Sequence, residues 1–213
     1  MKWWTWVLVA LSAIVYAVLW IGWLLDWAWL ASFDTWCLDA FGRIVKGSPA
    51  WQSAWEWYCT VFGPTAFRIY GVFFIIWLLF KRYWRAALFL VLTIELSAVL
   101  TEVAKWLAGR PRPATAMVYA EGTSFPSGHA LGLMVIVLAA VTLLWPIANE
   151  LWRAVLVVVG AVLVISIGVS RVVLNVHNPS DVLAGWALGY LYFVLCCALV
   201  RPAGTQAVLG RAP

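Results

Sequence analysis

Six long apolar runs restrict this chain more than any other feature of its sequence. They fall at about residues 3–25, 64–80, 86–107, 129–145, 154–169 and 182–200. A helix needs roughly 20 residues to cross a hydrocarbon core of about 30 Å, whereas barrel strands are shorter and alternate in polarity. The expectation is an all-α, polytopic membrane protein with six transmembrane helices, forming a single domain over residues 1–213. Only 11% of the residues are charged, against roughly a quarter in soluble domains. The net charge of +5 arises from small basic groups between the runs. With no single basic stripe, it reads as membrane topology and not as a nucleic-acid surface. The first run is preceded only by Lys2. It exceeds the roughly 7–15 apolar residues of a signal peptide, so it reads as a retained anchor.

Between the first two runs, residues 26–62 carry Asp34, Asp39, Arg43, Lys46 and Glu56 and are too polar to span. Phe33, Trp36, Cys37 and Phe41 recur at helical spacing, while Trp51, Trp55, Trp57 and Tyr58 fit an aromatic belt. An interfacial helical segment is therefore expected between helices 1 and 2, as an anchoring layer and not a substrate gate. Cys37 and Cys59 both lie in it and are candidates for a disulfide if it is extracytoplasmic. Cys196 and Cys197, inside the last run, read as packing residues.

Lys2, Lys81, Arg82, Arg85, Arg153, Arg201 and Arg211 fall on one face of the six-span layout. The positive-inside rule makes that face cytoplasmic, with both termini. Lys105, Arg110, Arg112 and Arg171 sit on the opposite face. Cations that defy the topological bias beside membrane helices are better explained by something they bind. Glu95 and Glu102, within the third run, allow two readings: acids of an ion pathway, or, for Glu102, a partner for Lys105 one turn away.

Three polar patches break the outer ends of the runs. In Lys105-Trp-Leu-Ala-Gly-Arg-Pro-Arg-Pro113, Gly109 can close the third helix in a left-handed cap. Lys105 and Arg112 then either converge on one anion or snorkel to lipid head groups. Phe125-Pro-Ser-Gly-His129 opens the fourth helix. There Ser127 and Gly128 offer backbone N–H groups and the positive end of a dipole, or simply an N-cap with an incidental histidine. Ser170-Arg-Val-Val-Leu-Asn-Val-His-Asn-Pro-Ser-Asp181 holds Arg171, His177 and Asp181. Pro179 suits the first turn of a helix, from which Asp181 can reach back to the His177 ring. Both histidines of the chain lie in these patches, and the layout brings all three to one face. Two histidines, one with an acid partner, plus a lysine and two arginines describe phosphoryl transfer: a nucleophile, a proton donor and a charge clamp. A catalytic zinc takes three protein ligands, and the surrounding cations would repel it, so no metal is expected.

The ordered motifs Lys105-x6-Arg112-Pro113, Pro126-Ser127-Gly128-His129 and Ser170-Arg171-x5-His177-x3-Asp181 resemble the signature of the type-2 phosphatidate phosphatase superfamily. That superfamily also contains the soluble vanadium-dependent haloperoxidases. The resemblance covers a motif core of residues 105–181 and, through the six spans, most of the chain. It implies that His177 attacks phosphorus to give a phosphohistidine, oriented by Asp181. His129 would protonate the leaving oxygen and then activate water, and Lys105, Arg112, Ser127, Gly128 and Arg171 would cradle the phosphate. It implies no cofactor and no metal, and a lipid phosphate substrate among membrane lipids. Arg110 is an extra cation beside Arg112 whose role, at the phosphate or at a head group, the pattern does not fix. The function implied is hydrolysis of undecaprenyl diphosphate or phosphatidylglycerol phosphate at the periplasmic face of an inner membrane. A lipid phosphotransferase would use the same residues. A non-catalytic lipid-binding or transport protein would use only the cations.

Overall fold

The computed structural model describes residues 3–200. Lys2, Arg201 and Arg211 of the expected cytoplasmic face lie outside them. Nine α-helices are found among the described residues: α1 (Trp3–Leu24), α2 (Ala28–Gly42), α3 (Pro49–Val61), α4 (Pro64–Phe80), α5 (Trp84–Leu90), α6 (Leu96–Ala108), α7 (Gly128–Leu144), α8 (Glu150–Val173) and α9 (Pro179–Val200). A short π-helical turn, Val91–Glu95, joins α5 to α6, so the two form one rod. No strand occurs among these residues.

The boundaries follow local chemistry. Prolines begin α3, α4 and α9, where a missing N–H costs nothing. The Asn149 side chain accepts the Trp152 N–H at 3.0 Å to start α8. Gly109, at φ 59°, closes α6 with its N–H on the Lys105 carbonyl, the cap expected of a glycine there.

Five segments are long and apolar enough to cross a membrane: Trp3–Leu24, Pro49–Phe80, Trp84–Ala108, Glu150–Val173 and Pro179–Val200. Gly128–Leu144 is a shorter apolar helix. The second segment contains both α3 and α4, which are divided at Gly63, where the backbone is extended (ψ 168°). The described surface is inverted relative to a soluble protein. Ile14, Phe73, Val158 and Leu195 face outward, whereas Thr93, Ser97, Thr101, Ser170 and Asp181 are buried. An apolar exterior of this extent belongs in lipid.

Helix α7 is the hub. Ala130, Leu131, Leu133, Val135 and Ala139 are all buried, which is why its sequence is apolar on every side. Helix α9 lies against it across Gly185 and Gly189, spaced as a small-xxx-small pair. A Cβ on Gly185 would stand 2.6 Å from the Ser127 carbonyl oxygen, and one on Gly189 2.9 Å from that of Leu131. In α2 the packed face is Leu30, Asp34, Cys37 and Leu38. Of the residues whose helical spacing the sequence showed, Cys37 is buried and Phe41 packs beside it, while Phe33 and Trp36 point outward, because lipid and core attract the same side chains. Cys37 and Cys59 are both free thiols and form no disulfide. Cys59 Sγ instead lies 2.9 Å from Ser170 Oγ.

Since the clashing atom at Gly185 is backbone, Gly185→Ala should push α9 from α7 and cost about 1–3 kcal/mol. A lowered melting temperature in detergent, followed by tryptophan fluorescence, is the check, with Gly47→Ala as a comparison whose Cβ would meet nothing but whose φ is +81°.

Candidate active site

Four chain segments converge at one end of the bundle: the end of α6 with the loop 109–127, the start of α7, the end of α8 with residues 174–178, and the start of α9. Backbone bonds splice them. The Ser127 N–H donates to the Asp181 carbonyl at 2.9 Å, and the Val176 and His177 N–H groups both donate to the Arg171 carbonyl at 3.1 and 3.2 Å. Asn175, at φ 53°, turns the chain between Arg171 and His177.

His177 and Asp181 are buried. Imidazole Nδ1 lies 3.5 Å from Asp181 Oδ2, an ion-pair distance, although no well-formed hydrogen bond to Nδ1 exists among the described residues. The other nitrogen, Nε2, lies 3.2 Å from Arg112 Nη1. A guanidinium can only donate, so Nε2 accepts and the ring proton belongs on Nδ1, facing the carboxylate. Burial pushes the His177 pKa down to about 4; Arg171 and Arg112 act in the same direction, and the nearby Asp181 carboxylate opposes them. The imidazole is therefore neutral at pH 7, with an unshared electron pair at Nε2.

Arg112 is held by the backbone. It donates to the carbonyls of Val176 at 2.9 Å, Glu121 at 2.7 Å and Gly122 at 3.2 Å. Burial, and next the charge of Arg171, lower its pKa, while the charges of Asp181 and Glu102 oppose them. Arg171 is 6% exposed, and its Nε has no hydrogen-bond partner. The Ser127 hydroxyl is buried without a partner too. Ser127 occupies the N-cap position of α7 but makes no side-chain cap bond, so its oxygen and the first N–H groups of α7 remain free for a ligand. Gly128 follows, where a Cβ would come within 2.9 Å of Thr101 Cγ2. His129 is half-buried, and its ring reaches to 3.3 Å of where a Gly63 Cβ would stand. Lys105 is engaged elsewhere: its Nζ pairs with Glu102 Oε1 at 3.1 Å, the i,i+3 partnership considered from the sequence.

The structure thus brings His177, Asp181 and Arg112 into direct contact, ties Ser127 and Arg171 to them through the backbone, and leaves Lys105 on its own acid. Orphaned donors beside two cations and a helix N-terminus can hold a tetrahedral anion at a neutral imidazole.

Sequence reasoning missed Asp34 and left the role of Arg110 open. Arg110 is buried and bridges two acids, with Nη1 on Asp181 Oδ1 at 2.6 Å and Nη2 on Asp34 Oδ2 at 2.7 Å. Nη1 also meets Ser180 Oγ at 2.7 Å. Asp34 receives the Ser180 N–H at 3.0 Å and the Ser180 hydroxyl at 2.6 Å. The guanidinium rests 4.9 Å from the Trp23 ring centroid. One signal for Asp34 was present: an acid in register with Leu30, Cys37 and Leu38 on α2. Arg68, inside α4, also escaped notice.

A family model described as the PAP2 superfamily matches residues 86–204. An undecaprenyl-diphosphatase of Sulfolobus acidocaldarius is 39% identical over 119 residues, 53% of this chain and 54% of that protein. Phosphatidylglycerophosphatase B of Bacillus subtilis is 33% identical over 129 residues, 59% of this chain and 60% of the relative. The matches thus span between half and three fifths of these relatives' lengths. The crystal structure of a transmembrane PAP2-type phosphatidylglycerolphosphate phosphatase from Bacillus subtilis superposes with a TM-score of 0.74 at 24% identity, over 93% of this chain and 96% of that one. At that identity the likeness establishes the fold.

Removing Arg110 would leave Asp34 and Asp181 as uncompensated buried charges. Arg110→Ala should therefore lose about 3–5 kcal/mol of stability, measured by denaturant unfolding in mixed micelles. The exposed Arg43→Ala should change it by no more than about 0.5 kcal/mol.

Proposed function

The chain belongs to the PAP2 superfamily, and from that premise we propose that it is a membrane lipid phosphatase that acts through a phosphohistidine at His177. The observation that carries this reading is the neutral, buried imidazole with Nε2 open beside Arg112, and with the unpartnered Ser127 hydroxyl and Arg171 Nε around it.

In this reading the phosphoryl group sits between Arg112, Arg171, Lys105, the Ser127 hydroxyl and the N–H groups at Gly128. Lys105 turns from Glu102 to the anion as it arrives. His177 Nε2 bonds to phosphorus while the bond to the lipid oxygen breaks. Asp181 holds the Nδ1 proton and balances the charge that appears on the ring. His129 protonates the leaving oxygen, then takes a proton from the water that releases inorganic phosphate. The residues need no metal for any of these steps. The substrates favoured by the two curated relatives are undecaprenyl diphosphate and phosphatidylglycerol phosphate.

The chain works as one domain over residues 1–213, with six crossings: the five long segments and the shorter α7, which is buried enough to need less apolar length. Lys81, Arg82, Arg85 and Arg153 lie at the end of the bundle away from His177 by chain connectivity. The positive-inside rule then puts that end and the termini in the cytoplasm, and the site at the extracytoplasmic face of the plasma membrane.

Purified protein should release phosphate from one or both lipids in the presence of a chelator, and His177→Ala should lower release by at least about 10⁴-fold. Equal release by the variant would sink the reading. Label passed to a second lipid instead of water would make the protein a transferase. The pH profile gives a separate check. Protonation of His177 removes the nucleophile, so the acid limb of kcat/KM, corrected for substrate ionisation, should fall around pH 4.

A further inference from the structure

Arg68 is a cation inside a membrane span whose bonding capacity is largely unspent. Its Nε reaches the Ile94 carbonyl and its Nη2 the Ser97 hydroxyl, both at 3.4 Å, long for N–H···O bonds. Neither contact brings a counter-charge, and no carboxylate among the described residues lies within ion-pair distance of it. The nearest acid along the same wall is Glu95, at the end of the π-helical turn. It packs at Gly71, and its Oε1 is buried without a hydrogen bond. A guanidinium at this depth is costly unless it meets an anion or water.

Its location says which anion. Helices α4 and α7 both run inward from the site. Gly63, just before α4, abuts the His129 ring, and Arg68 Nη2 comes within 3.2 Å of where a Gly132 Cβ would stand. Gly132 is one turn inward from His129, or about 5 Å along α7. Its lack of a side chain leaves the room that the guanidinium fills. Arg68 therefore lies on the hydrocarbon side of His129, the side to which the hydrocarbon tail of a lipid must extend from a phosphate held in the cradle.

We propose that Arg68 binds the inner phosphate of a lipid diphosphate, and so selects diphosphates over lipid monophosphates. This rests on the phosphatase reading above and names the substrate class for that site. The terminal phosphate occupies the Arg112 and Arg171 cradle, the bridging oxygen faces His129, and the inner phosphate meets Arg68. As the His177 Nε2–phosphorus bond forms, the bond from that phosphorus to the bridging oxygen breaks. Its electron pair passes to the inner phosphate, which leaves as a lipid monophosphate. Arg68 supplies positive charge where that negative charge develops. The monophosphate product, and a glycerol phosphate ester alike, offer no second phosphate at this position.

The test compares farnesyl diphosphate with farnesyl phosphate, short-chain probes that differ only in the second phosphate. In the wild type, kcat/KM for the diphosphate should be the larger. Arg68→Gln should cut the ratio of the two values by about 10–100-fold, the effect of one charge-assisted hydrogen bond, and Arg68→Lys should restore part of it. Equal loss on both probes together with a lower melting temperature would assign Arg68 to packing, and an unchanged ratio would leave it without a role; either overturns the proposal. Binding to the His177→Ala protein, measured by calorimetry, keeps the two readings apart. If wild type hydrolyses neither probe, the phosphatase reading falls. The Arg68 site is still judged by whether His177→Ala binds the diphosphate at least about tenfold tighter than the monophosphate, and by whether adding Arg68→Gln erases that difference. Equal affinity would refute it without appeal to any variant at Arg68.

Discussion

The structure depends on one buried guanidinium. Arg110 joins Asp34 of α2 to Asp181 of α9 and so locks three separate parts of the chain to one another: the connection after α1, the loop after α6, and the helix that carries the acid facing His177. A buried carboxylate is costly without a cation and hydrogen bonds to meet it, and the two oxygens of Asp181 are divided between such partners. Oδ1 takes the arginine, and Oδ2 takes the Asn178 N–H at 2.8 Å and faces the imidazole. Ser180, between Asp34 and Arg110, closes the network with its own N–H and hydroxyl, leaving few unmet bonds in it.

The same bridge sets the charge that an arriving phosphate feels. Asp34, Arg110 and Asp181 together carry about one negative charge, and Lys105 with Glu102 carries none. Arg112 and Arg171 remain as excess cations around His177. Had Arg110 been left over as a third free cation, the site would hold more positive charge than one phosphoryl group can balance, and the imidazole would have no stable acid beside it. The extra arginine of the first motif is better described as the counter-ion of the orienting acid than as a member of the phosphate cradle.

Much of this was legible in the sequence, for physical reasons that differ from place to place. Apolar runs located the spans because lipid demands continuous apolar length. Pro64 and Pro179 marked helix starts, and Gly109 marked an end, because each acts through its own backbone. That His177, Asp181 and Arg112 lie together was suggested by motif spacing combined with the alternation of the spans. Arg110 and Asp34 are 76 residues apart, and nothing local announces such a pair. An acid in a tryptophan-rich segment reads as interfacial until the helix is seen to turn it inward. The helical spacing of Phe33, Trp36, Cys37 and Phe41 left the packed face of α2 open for a related reason: in a membrane protein an outward stripe is as apolar as an inward one, so hydrophobic spacing gives a helix its period but not its direction.

The groups around His177 divide into those the fold holds and those it leaves free. Arg112 is fixed by three carbonyls, the His177 backbone by Arg171, and the Ser127 backbone by Asp181. In the proposed reaction these fix where the phosphorus lies, and prepaid placement of this kind lowers a barrier without cost at the moment of reaction. The side chains of Arg171, His129 and Arg68 have weak tethers or none among the described residues. In the proposed reaction His129 and then Arg68 follow one another from the phosphate cradle toward the hydrocarbon. A rigid floor beneath the attacked phosphorus and adjustable cations along the departing lipid suit a site that keeps one chemistry for ligands with different tails. Discrimination between such ligands then falls to the adjustable side, and the inward position of Arg68 is the point along it where a second phosphate would be felt.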